Sequence, residues 1–415
     1  MIKFYPSVLN GTIKAPASKA CALRMMFAAS MASTQTTIKN VPDCADVNTA
    51  IDCLTTLGCK ITTSGEGRLT VTIEPFSKTA TLQRLDFNFR NSATTARYIM
   101  AICSVLGIPA NCRAENVLAR RSQASMTSMM SLRGENFSSF SLPLEMSGRL
   151  LGGDFLLNGD EGTQSICALI NALPLIKEDS NIKLQNPLVD STFVDMTIDI
   201  LSKFGVTIEK TDFGYHIPGQ QLFTSPGTLV CENDWGLASM WTTAGSACSL
   251  KGGHVVVTDL SEDSLQKYRT ANSTFSLICQ DFKDLNIDAS DFPNLATVFA
   301  ALAAARGGTI RISGIPQLKH KETNRLKSVG NSLSQFGVKC EVTEDGMIIS
   351  GKEDADYPED MVIDTMGDPW VFMSLAVASV AFAKPVILKD ETGADKIYKD
   401  FLKDFKSLGG KYEII

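Results

Sequence analysis

One pattern recurs along this chain: a helix-like run ends at a glycine, and a short strand, a turn and a second strand follow. Glycine is the usual residue at the left-handed position just past a helix, and Asp-Gly or Glu-Gly between β-rich runs is typical of a hairpin turn. The glycines that end these runs are Gly58, Gly134, Gly205, Gly337 and Gly409. They lie 76, 71, 132 and 72 residues apart, and the gap of 132 predicts a degenerate unit near residues 265–285. The 415 residues are therefore predicted to form six repeats of about 70 residues each.

Each repeat also contains an apolar segment that is rich in Ala, Met and Leu. These segments are residues 18–32, 92–106, 163–173, 234–248, 293–306 and 368–382. Because they are apolar nearly all round, they are predicted to form buried helices. The longest apolar run, 370–383, has 14 residues, whereas a membrane-spanning helix needs about 20. We therefore expect two domains of three repeats each and no membrane association.

Composition and charge exclude several classes of protein. The net charge is −6 and the pI about 5.3, so the broad basic surface of a nucleic-acid binder is not expected. An anionic ligand would have to be attracted by a local group of Lys and Arg. The eleven cysteines form no Cys-x-x-Cys motif and the first residues contain no apolar signal segment, which predicts a cytoplasmic protein with reduced thiols. With three scattered histidines, neither a zinc site nor a histidine-based catalytic triad is expected.

Two of the apolar segments begin with an arrangement that suits an anion. Ser18 and Asn91 are predicted to cap these helices, and Arg24 and Arg97 follow each cap after six residues. A helix start offers backbone N–H groups and the positive end of the helix dipole, which favour phosphate or carboxylate. An arginine nearby adds a bidentate donor. The alternative is ordinary helix capping, with arginines that extend to solvent.

The string KHKETNR, residues 319–325, places four basic-type side chains and one carboxylate just before a predicted helix. A solvated run of charges is the usual interpretation of such a string. However, a glutamate among cations stays ionised and is suited to proton transfer, which makes Glu322 a candidate catalytic group.

The same residues carry a resemblance to a known family. KETNR, residues 321–325, resembles the KETDR signature of the EPSP synthases (5-enolpyruvylshikimate-3-phosphate synthases, also called 3-phosphoshikimate 1-carboxyvinyltransferases). SKACALR at 18–24 and NSATTAR at 91–97 are similar to the family motifs SKSxSNR and NxGTxxR. The motifs occur in the family order with compatible spacing over essentially the whole chain.

The resemblance implies both a fold and an activity. The fold is α/β, a two-domain inside-out α/β barrel of six βαβαββ repeats, with domain 1 at residues 1–13 and 233–415, domain 2 at 14–232, and the active site in the cleft between them. The activity is transfer of the enolpyruvyl group from phosphoenolpyruvate to the 5-hydroxyl of shikimate 3-phosphate, with release of phosphate, in aromatic amino-acid biosynthesis. No metal or organic cofactor is implied. The expected partners are small anionic substrates, without nucleic acid or membrane, and the expected state is a cytoplasmic monomer.

The resemblance also implies roles for individual residues. The catalytic candidates are Glu322, Lys19, Asn294 and Asp291. The residues expected to bind shikimate 3-phosphate are Lys19, Arg24, Thr163, Gln164, Ser191, Asn294 and Lys321. The residues expected to bind phosphoenolpyruvate are Lys19, Ala93, Arg97, Arg121, Gln164, Arg325 and Lys396.

Several positions depart from the family motifs. In the first part of the chain, family hydroxyls, a glycine and a tyrosine are replaced at Ala20, Ala93, Gly162, Asp190 and Phe193. In the second part, Asn294 aligns with the family's catalytic aspartate, and its amide cannot accept a proton. Trp370 stands where the family has a phosphoenolpyruvate-binding arginine. Each lost charge-assisted hydrogen bond to an anion costs about 1.5–3 kcal/mol.

Two alternatives to an active synthase follow from these departures. One is a catalytically impaired or repurposed member of the family that binds an anionic metabolite. The other is the sister family of UDP-N-acetylglucosamine enolpyruvyl transferases, which lacks KETxR and uses a loop cysteine as acid. No cysteine lies near Arg120 and Arg121, where that loop is expected, and the nearest is Cys112.

Overall fold

The computed structural model describes residues 1–77, 83–247, 252–271, 284–304, 308–351, 357–390 and 393–415. The chain divides into two compact units. The terminal unit consists of Met1–Pro16 and Asn233–Ile415, and the central unit consists of Ala17–Glu232.

The strands within the described residues, in chain order, are β1 Ile2–Tyr5, β2 Asn10–Lys14, β3 Thr36–Pro42, β4 Lys60–Ser64, β5 Arg68–Glu74, β6 Leu85–Asn88, β7 Ala110–Arg113, β8 Glu135–Phe137, β9 Leu144–Gly148, β10 Gly153–Leu157, β11 Ser180–Leu184, β12 Glu209–Thr211, β13 Gly214–Ile217, β14 Thr228–Val230, β15 His254–Thr258, β16 Asp284–Asp288, β17 Gly308–Ser313, β18 Lys339–Val342, β19 Met347–Gly351, β20 Met361–Ile363, β21 Val386–Leu388 and β22 Lys411–Ile414.

The α-helices of the same residues are α1 Lys19–Ser30, α2 Ala45–Leu57, α3 Ala93–Leu106, α4 Asn116–Arg120, α5 Ala124–Ser131, α6 Gln164–Ala172, α7 Thr192–Lys203, α8 Trp235–Ala247, α9 Ala296–Ala304, α10 Arg325–Gln335, α11 Pro369–Ala378 and α12 Phe401–Ser407. Short 3₁₀ turns lie at Leu173–Leu175, Lys267–Thr270, Pro293–Leu295, Pro316–His320 and Ser379–Ala381.

The sheets repeat one arrangement. The central unit has three four-stranded sheets with the orders β14-β3-β5-β4, β6-β7-β9-β8 and β10-β11-β13-β12. The terminal unit has two more, β16-β17-β19-β18 and β20-β21-β1-β22, and a two-stranded sheet of β15 and β2. In each four-stranded sheet the first pair is parallel and the other two are antiparallel. This is the pairing that a βαβαββ repeat produces, because a helix separates the parallel strands while a hairpin or its equivalent supplies the last pair.

Two strands lie just before the points where the chain passes from one unit to the other. β2 precedes α1 in the chain but pairs with β15, from Asn10 opposite His254 to Lys14 opposite Thr258. β14 precedes α8 but pairs with β3 of the central unit. Before the chain enters the other unit, it therefore forms one last strand in a sheet of the unit that it is about to leave.

The six apolar segments form buried helices, as the sequence predicted: α1, α3 and α6 in the central unit, and α8, α9 and α11 in the terminal unit. Every residue of α9 is buried, and so is every residue of α11 except Trp370. Each unit has its own hydrophobic core around these helices.

The five repeat glycines have the conformation that the pattern predicted. Their φ angles are 107° at Gly58, 99° at Gly134, 78° at Gly205, 72° at Gly337 and 98° at Gly409. Other residues rarely adopt this left-handed region, so the local pattern determines where these runs end. Of the degenerate sixth unit, residues 272–283 lie outside the described residues.

Two further findings concern the described part of the chain. None of its helices has the length and apolar character needed to span a bilayer. No disulfide joins the nine cysteines found there.

Candidate active site

The KETNR string leads directly into α10. Asn324 caps this helix, and its side-chain oxygen accepts a hydrogen bond from the backbone N–H of Lys327 at 3.2 Å. Arg325, the first residue of α10, is only 2% exposed. Lys319, by contrast, reaches the exposed carbonyl of Glu344. The interpretation of this string as a solvated run of charges is therefore wrong for Arg325.

Three side chains surround the Arg325 guanidinium. Its Nε donates to Asp368 Oδ2 at 2.8 Å, and its Nη2 donates to Glu322 Oε2 at 2.6 Å. Its Nη1 donates to Asn294 Oδ1 at 2.8 Å. Burial lowers the pKa of Arg325, but the carboxylates of Asp368 and Glu322 outweigh this and raise it above its ordinary value. The guanidinium is therefore a fixed cation with its plane held by three acceptors.

Glu322 connects this arginine to a lysine from the C-terminal part of the chain. Its second oxygen, Oε1, accepts a hydrogen bond from Lys396 Nζ at 3.0 Å. The Glu322 side chain is 17% exposed and that of Lys396 is 11% exposed. Together with Asp368, these residues form a cluster of two cations and two carboxylates whose formal charge is zero. We call Glu322, Arg325, Asp368 and Lys396 the terminal cluster.

Asp368 was not selected from the sequence, although it holds four donors. Its Oδ1 accepts from the backbone N–H groups of Trp370 and Val371 and so caps α11. Its Oδ2 accepts from Arg325 and from the hydroxyl of Thr323 at 3.2 Å. The Asp-Pro pair at a helix start was the available signal for the cap, but nothing local indicated the arginine. Trp370 is partly buried against the terminal core.

Asn294 lies in the 3₁₀ turn before α9 and contacts a residue that sequence reasoning missed. Its Nδ2 donates to the phenol oxygen of Tyr268 at 2.8 Å. Nothing in the sequence joins two residues that lie 26 positions apart. Asp291, one of the four catalytic candidates, forms a half-exposed ion pair with Lys267 at 2.8 Å.

In the central unit, Lys19 begins α1 beside a buried acid. Ser18 caps the helix as predicted, accepting from the backbone N–H of Cys21 at 3.4 Å. Lys19 Nζ contacts Asp46 Oδ2 at 2.7 Å, and the Asp46 side chain is 5% exposed. A buried carboxylate therefore orients this lysine.

Arg24 points into the central unit, so the alternative of an arginine extending to solvent is wrong here. Its Nε donates to Thr197 Oγ1 at 2.8 Å and to the Phe193 carbonyl at 3.2 Å. Its Nη1 donates to the Ala20 carbonyl at 2.9 Å, and its Nη2 to Cys167 Sγ at 3.4 Å. The guanidinium carbon also lies 5.2 Å from the centre of the Phe193 ring. Protein groups thus fix the plane of this cation from several sides.

Arg97 is also buried and joins the starts of two apolar helices. Its Nη1 donates to the Ala93 carbonyl and to Gln164 Oε1, each at 3.1 Å. Gln164 Nε2 in turn donates to Thr94 Oγ1 at 3.3 Å. The structure therefore brings Ala93, Arg97 and Gln164 together, as expected if they share a ligand.

The predicted cap of α3 was wrong by one residue. Ser92, not Asn91, is the cap residue, and its side chain bonds to the hydroxyl of Thr95 at 2.9 Å. The Asn91 side-chain oxygen instead accepts from the backbone N–H of Leu118 at 3.2 Å. The local pattern predicted that the Asn91 side chain caps α3, but it binds instead to Leu118, which lies 27 positions away.

Two hydroxyl residues stand at the starts of further helices. Thr163 precedes α6 and Ser191 precedes α7, and neither side chain accepts a hydrogen bond from its helix. Asp190, before Ser191, is buried and has a φ of 56°. Arg121 follows the last residue of α4, and its carbonyl accepts a hydrogen bond from Gln123 Nε2 at 2.9 Å. Within the described residues, no group of three or more His, Cys, Asp or Glu side chains could hold a metal ion.

Comparisons with known proteins agree over the whole chain. The family model described as EPSP synthase (3-phosphoshikimate 1-carboxyvinyltransferase) matches residues 5–405. A protein of Clostridium novyi named 3-phosphoshikimate 1-carboxyvinyltransferase is 30% identical, and the match covers 99% of this chain and 97% of that protein.

Solved structures show the same fold at lower identity. An EPSP synthase from Acinetobacter baumannii superposes with a TM-score of 0.75 at 17% identity, covering 100% of this chain and 99% of the other. The enolpyruvyl transferase NikO from Streptomyces tendae superposes with a TM-score of 0.76 at 15% identity, covering 99% and 98%.

Proposed function

This chain belongs to the EPSP synthase family, and we propose that it transfers the enolpyruvyl group from phosphoenolpyruvate to the 5-hydroxyl of shikimate 3-phosphate, releasing phosphate. The observation that carries the proposal is the terminal cluster, in which Glu322 of the KETNR string lies between Arg325 and Lys396. It combines a proton carrier with cations for an anionic substrate.

The transfer needs a base for the attacking hydroxyl and an acid for the methylene carbon of phosphoenolpyruvate. Asn294 cannot take a proton, because a carboxamide is neutral and its oxygen already accepts from Arg325. We assign proton transfer to Glu322. Its two oxygens accept hydrogen bonds from Arg325 and Lys396, which fix the orientation of the carboxylate for proton transfer.

The anionic groups of phosphoenolpyruvate need fixed donors. We assign its carboxylate to Arg325 and its phosphate to Lys396 in the terminal unit. In the central unit we assign Lys19, Arg97 and Arg121 to the same substrate, with Gln164 and the Ala93 backbone beside Arg97. Asp46 and Asp368 keep Lys19 and Arg325 in place, so these cations do not have to be ordered when the substrate binds.

Shikimate 3-phosphate presents hydroxyl, carboxylate and phosphate groups. We assign Lys19, Arg24, Thr163, Gln164 and Ser191 to this substrate in the central unit. Thr163 and Ser191 suit it, because their hydroxyls are not used as helix caps and the helix N–H groups behind them favour anions. In the terminal unit we assign Lys321 to its phosphate and the Asn294 amide to its 5-hydroxyl.

We also propose that the protein is a cytoplasmic monomer. The eleven cysteines without a Cys-x-x-Cys motif support a reducing compartment. Light scattering of the purified chain at micromolar concentration tests the monomer, and a mass of twice 44.9 kDa would contradict it.

Phosphate release by the purified protein tests the proposed activity. We expect release only when both phosphoenolpyruvate and shikimate 3-phosphate are present. Glu322→Gln keeps the side-chain volume but removes the proton carrier, and it should lower kcat by roughly 100-fold or more. Glu341→Gln, at an exposed position of β18, is the matched control and should behave as the wild type.

Two outcomes contradict the proposal. Absence of release that depends on shikimate 3-phosphate refutes the activity, and ligand binding without turnover then indicates the impaired or repurposed family member. Equal kcat values for Glu322→Gln and Glu341→Gln refute the role of Glu322 while leaving the activity intact.

A further inference from the structure

We propose that Tyr268 is a positioning residue for this reaction: its phenol oxygen fixes the orientation of the Asn294 carboxamide and, through it, one face of the Arg325 guanidinium. The inference rests on the proposed function, because it takes Arg325 and Asn294 as substrate-binding groups. Tyr268 is 4% exposed and packs in the terminal core, so it acts through its neighbours.

The hydrogen bonds leave the Asn294 side chain only one orientation. Arginine can only donate, so the atom of Asn294 that faces Arg325 Nη1 at 2.8 Å must be the oxygen. The amide nitrogen then faces Tyr268 and donates to its phenol oxygen at 2.8 Å. Turning the amide over would place donor against donor at Arg325.

Tyr268 is itself held from two directions. Two positions earlier, the buried Gln266 side chain accepts from the backbone N–H of Trp235 at 2.9 Å and donates to the Asn233 carbonyl at 2.8 Å. These two hydrogen bonds hold the segment around Gln266 and Tyr268 against the start of α8. A Cβ at Gly236 would lie 3.0 and 3.2 Å from two carbons of the Tyr268 ring, so a glycine there gives the ring its space.

This arrangement determines what Asn294 offers to a substrate. Its oxygen is bound to Arg325 and one of its N–H groups to Tyr268. Its second N–H has no hydrogen-bond partner among the described residues. Asn294 therefore presents a donor to the substrate hydroxyl, and acceptance of the hydroxyl proton is left to Glu322.

Replacing Tyr268 with phenylalanine removes one oxygen and leaves the Asn294 amide without its second anchor. We expect the KM for phosphoenolpyruvate to rise about tenfold, the size of effect that follows when a partly buried donor loses its hydrogen-bond partner. The KM for shikimate 3-phosphate should change less. Gly236→Ala, which displaces the ring and keeps the hydroxyl, should act in the same direction.

Tyr357→Phe is the matched control. Tyr357 belongs to the same unit and is also 4% exposed, and its phenol oxygen accepts from the Lys384 backbone N–H and donates to the Lys384 carbonyl. It lies outside the terminal cluster, so the purely structural effect of removing a buried phenol hydroxyl should be at least as large in Tyr357→Phe as in Tyr268→Phe. Only Tyr268→Phe should change the KM for phosphoenolpyruvate.

A double-mutant cycle with Asn294→Ala tests the route of the effect. If Tyr268 acts through Asn294, Tyr268→Phe has no further effect once the amide is removed. Additive effects on the KM for phosphoenolpyruvate refute that route. Identical kinetics for Tyr268→Phe and Tyr357→Phe refute the positioning role, while turnover by the wild type maintains the proposed function.

Calorimetric titration with phosphoenolpyruvate distinguishes a failure of the proposed function from a failure of the positioning role of Tyr268. If the wild type shows no turnover, the proposed function is refuted, and the affinity for phosphoenolpyruvate still reports on Arg325. A selective loss of affinity in Tyr268→Phe then supports the positioning role. Equal affinities in Tyr268→Phe and Tyr357→Phe, or no binding by the wild type, refute it.

Discussion

Asp368→Asn should destabilise the terminal unit because an amide cannot replace this carboxylate. The two Asp368 oxygens accept four hydrogen bonds, two on each oxygen. Asparagine has only one acceptor oxygen. If that oxygen caps α11, the amide nitrogen faces the Arg325 guanidinium, and if it faces Arg325, the helix loses its cap.

The magnitude follows from the bonds that are lost. The charge-assisted bond from Arg325 contributes about 1.5–3 kcal/mol, and a helix cap contributes about 1 kcal/mol. Arg325 and Asp368 form a buried ion pair, since their side chains are 2% and 0% exposed. Removing the charge of Asp368 therefore also leaves the buried charge of Arg325 less compensated. We expect the free energy of unfolding to fall by about 2–4 kcal/mol.

Tryptophan fluorescence in urea measures this loss selectively. The three tryptophans of the chain are Trp235, Trp241 and Trp370, and all belong to the terminal unit. Their emission therefore reports the unfolding of that unit alone. The change in midpoint multiplied by the slope gives the change in free energy, provided that the slope is the same in both proteins.

Asp364→Asn is the control from the same loop. Asp364 accepts from the Met366 backbone N–H and forms an ion pair with Lys389 at 3.1 Å, and both side chains are at least half exposed. An exposed pair of this kind contributes about 0–1 kcal/mol. Equal urea midpoints for Asp368→Asn and Asp364→Asn would refute the view that Asp368 is the anchor of the terminal cluster.

Two further predictions concern charge. Burial raises the pKa of Glu135 to about 7 from 4.5, so the folded central unit retains a proton there that the unfolded chain releases between these pH values. The free energy of unfolding should therefore fall as the pH rises from 4.5 to 7, and the full loss above pH 7 should be about 3 kcal/mol. Denaturation followed by circular dichroism at several pH values measures this dependence, which Glu135→Gln should lack. An unchanged pH dependence in Glu135→Gln contradicts the assignment. Asn294→Asp combined with Trp370→Arg should raise kcat/KM for phosphoenolpyruvate, whereas Asn294→Asp alone should lower it. Phosphate release measures kcat/KM for both variants. An equal gain in the single and the double variant contradicts the reasoning.

Local sequence signals predicted the framework but not the contacts within the site. The repeat glycines and the apolar helices depend on conformational preference and on polarity, which are properties of neighbouring residues, and both were found where predicted. The cap of α3 was misassigned because Asn91 and Ser92 are both good caps, and a distant backbone N–H decides between them.

The missing site residues share one property: their partners lie far along the chain. Asp368 and Arg325 are 43 positions apart, and Tyr268 and Asn294 are 26 apart. No periodicity or motif connects such pairs, because they meet only when separate repeats pack together. Family motifs predicted which residues bind ligands, but they did not indicate which residues hold those groups in place.

Charge balance in the terminal unit connects two of the departures that the family resemblance implies. The resemblance aligns Asn294 with the family's aspartate, which would remove one negative charge, and Trp370 with an arginine, which would remove one positive charge. The terminal cluster is neutral as it stands, with Arg325 and Lys396 opposite Glu322 and Asp368. An aspartate at 294 alone would place a third carboxylate on Arg325, where the carbonyl oxygen of the amide now accepts at 2.8 Å. It would also compete with an anionic substrate for the same guanidinium. The two substitutions therefore compensate each other in charge, and each should be tolerated better in the presence of the other.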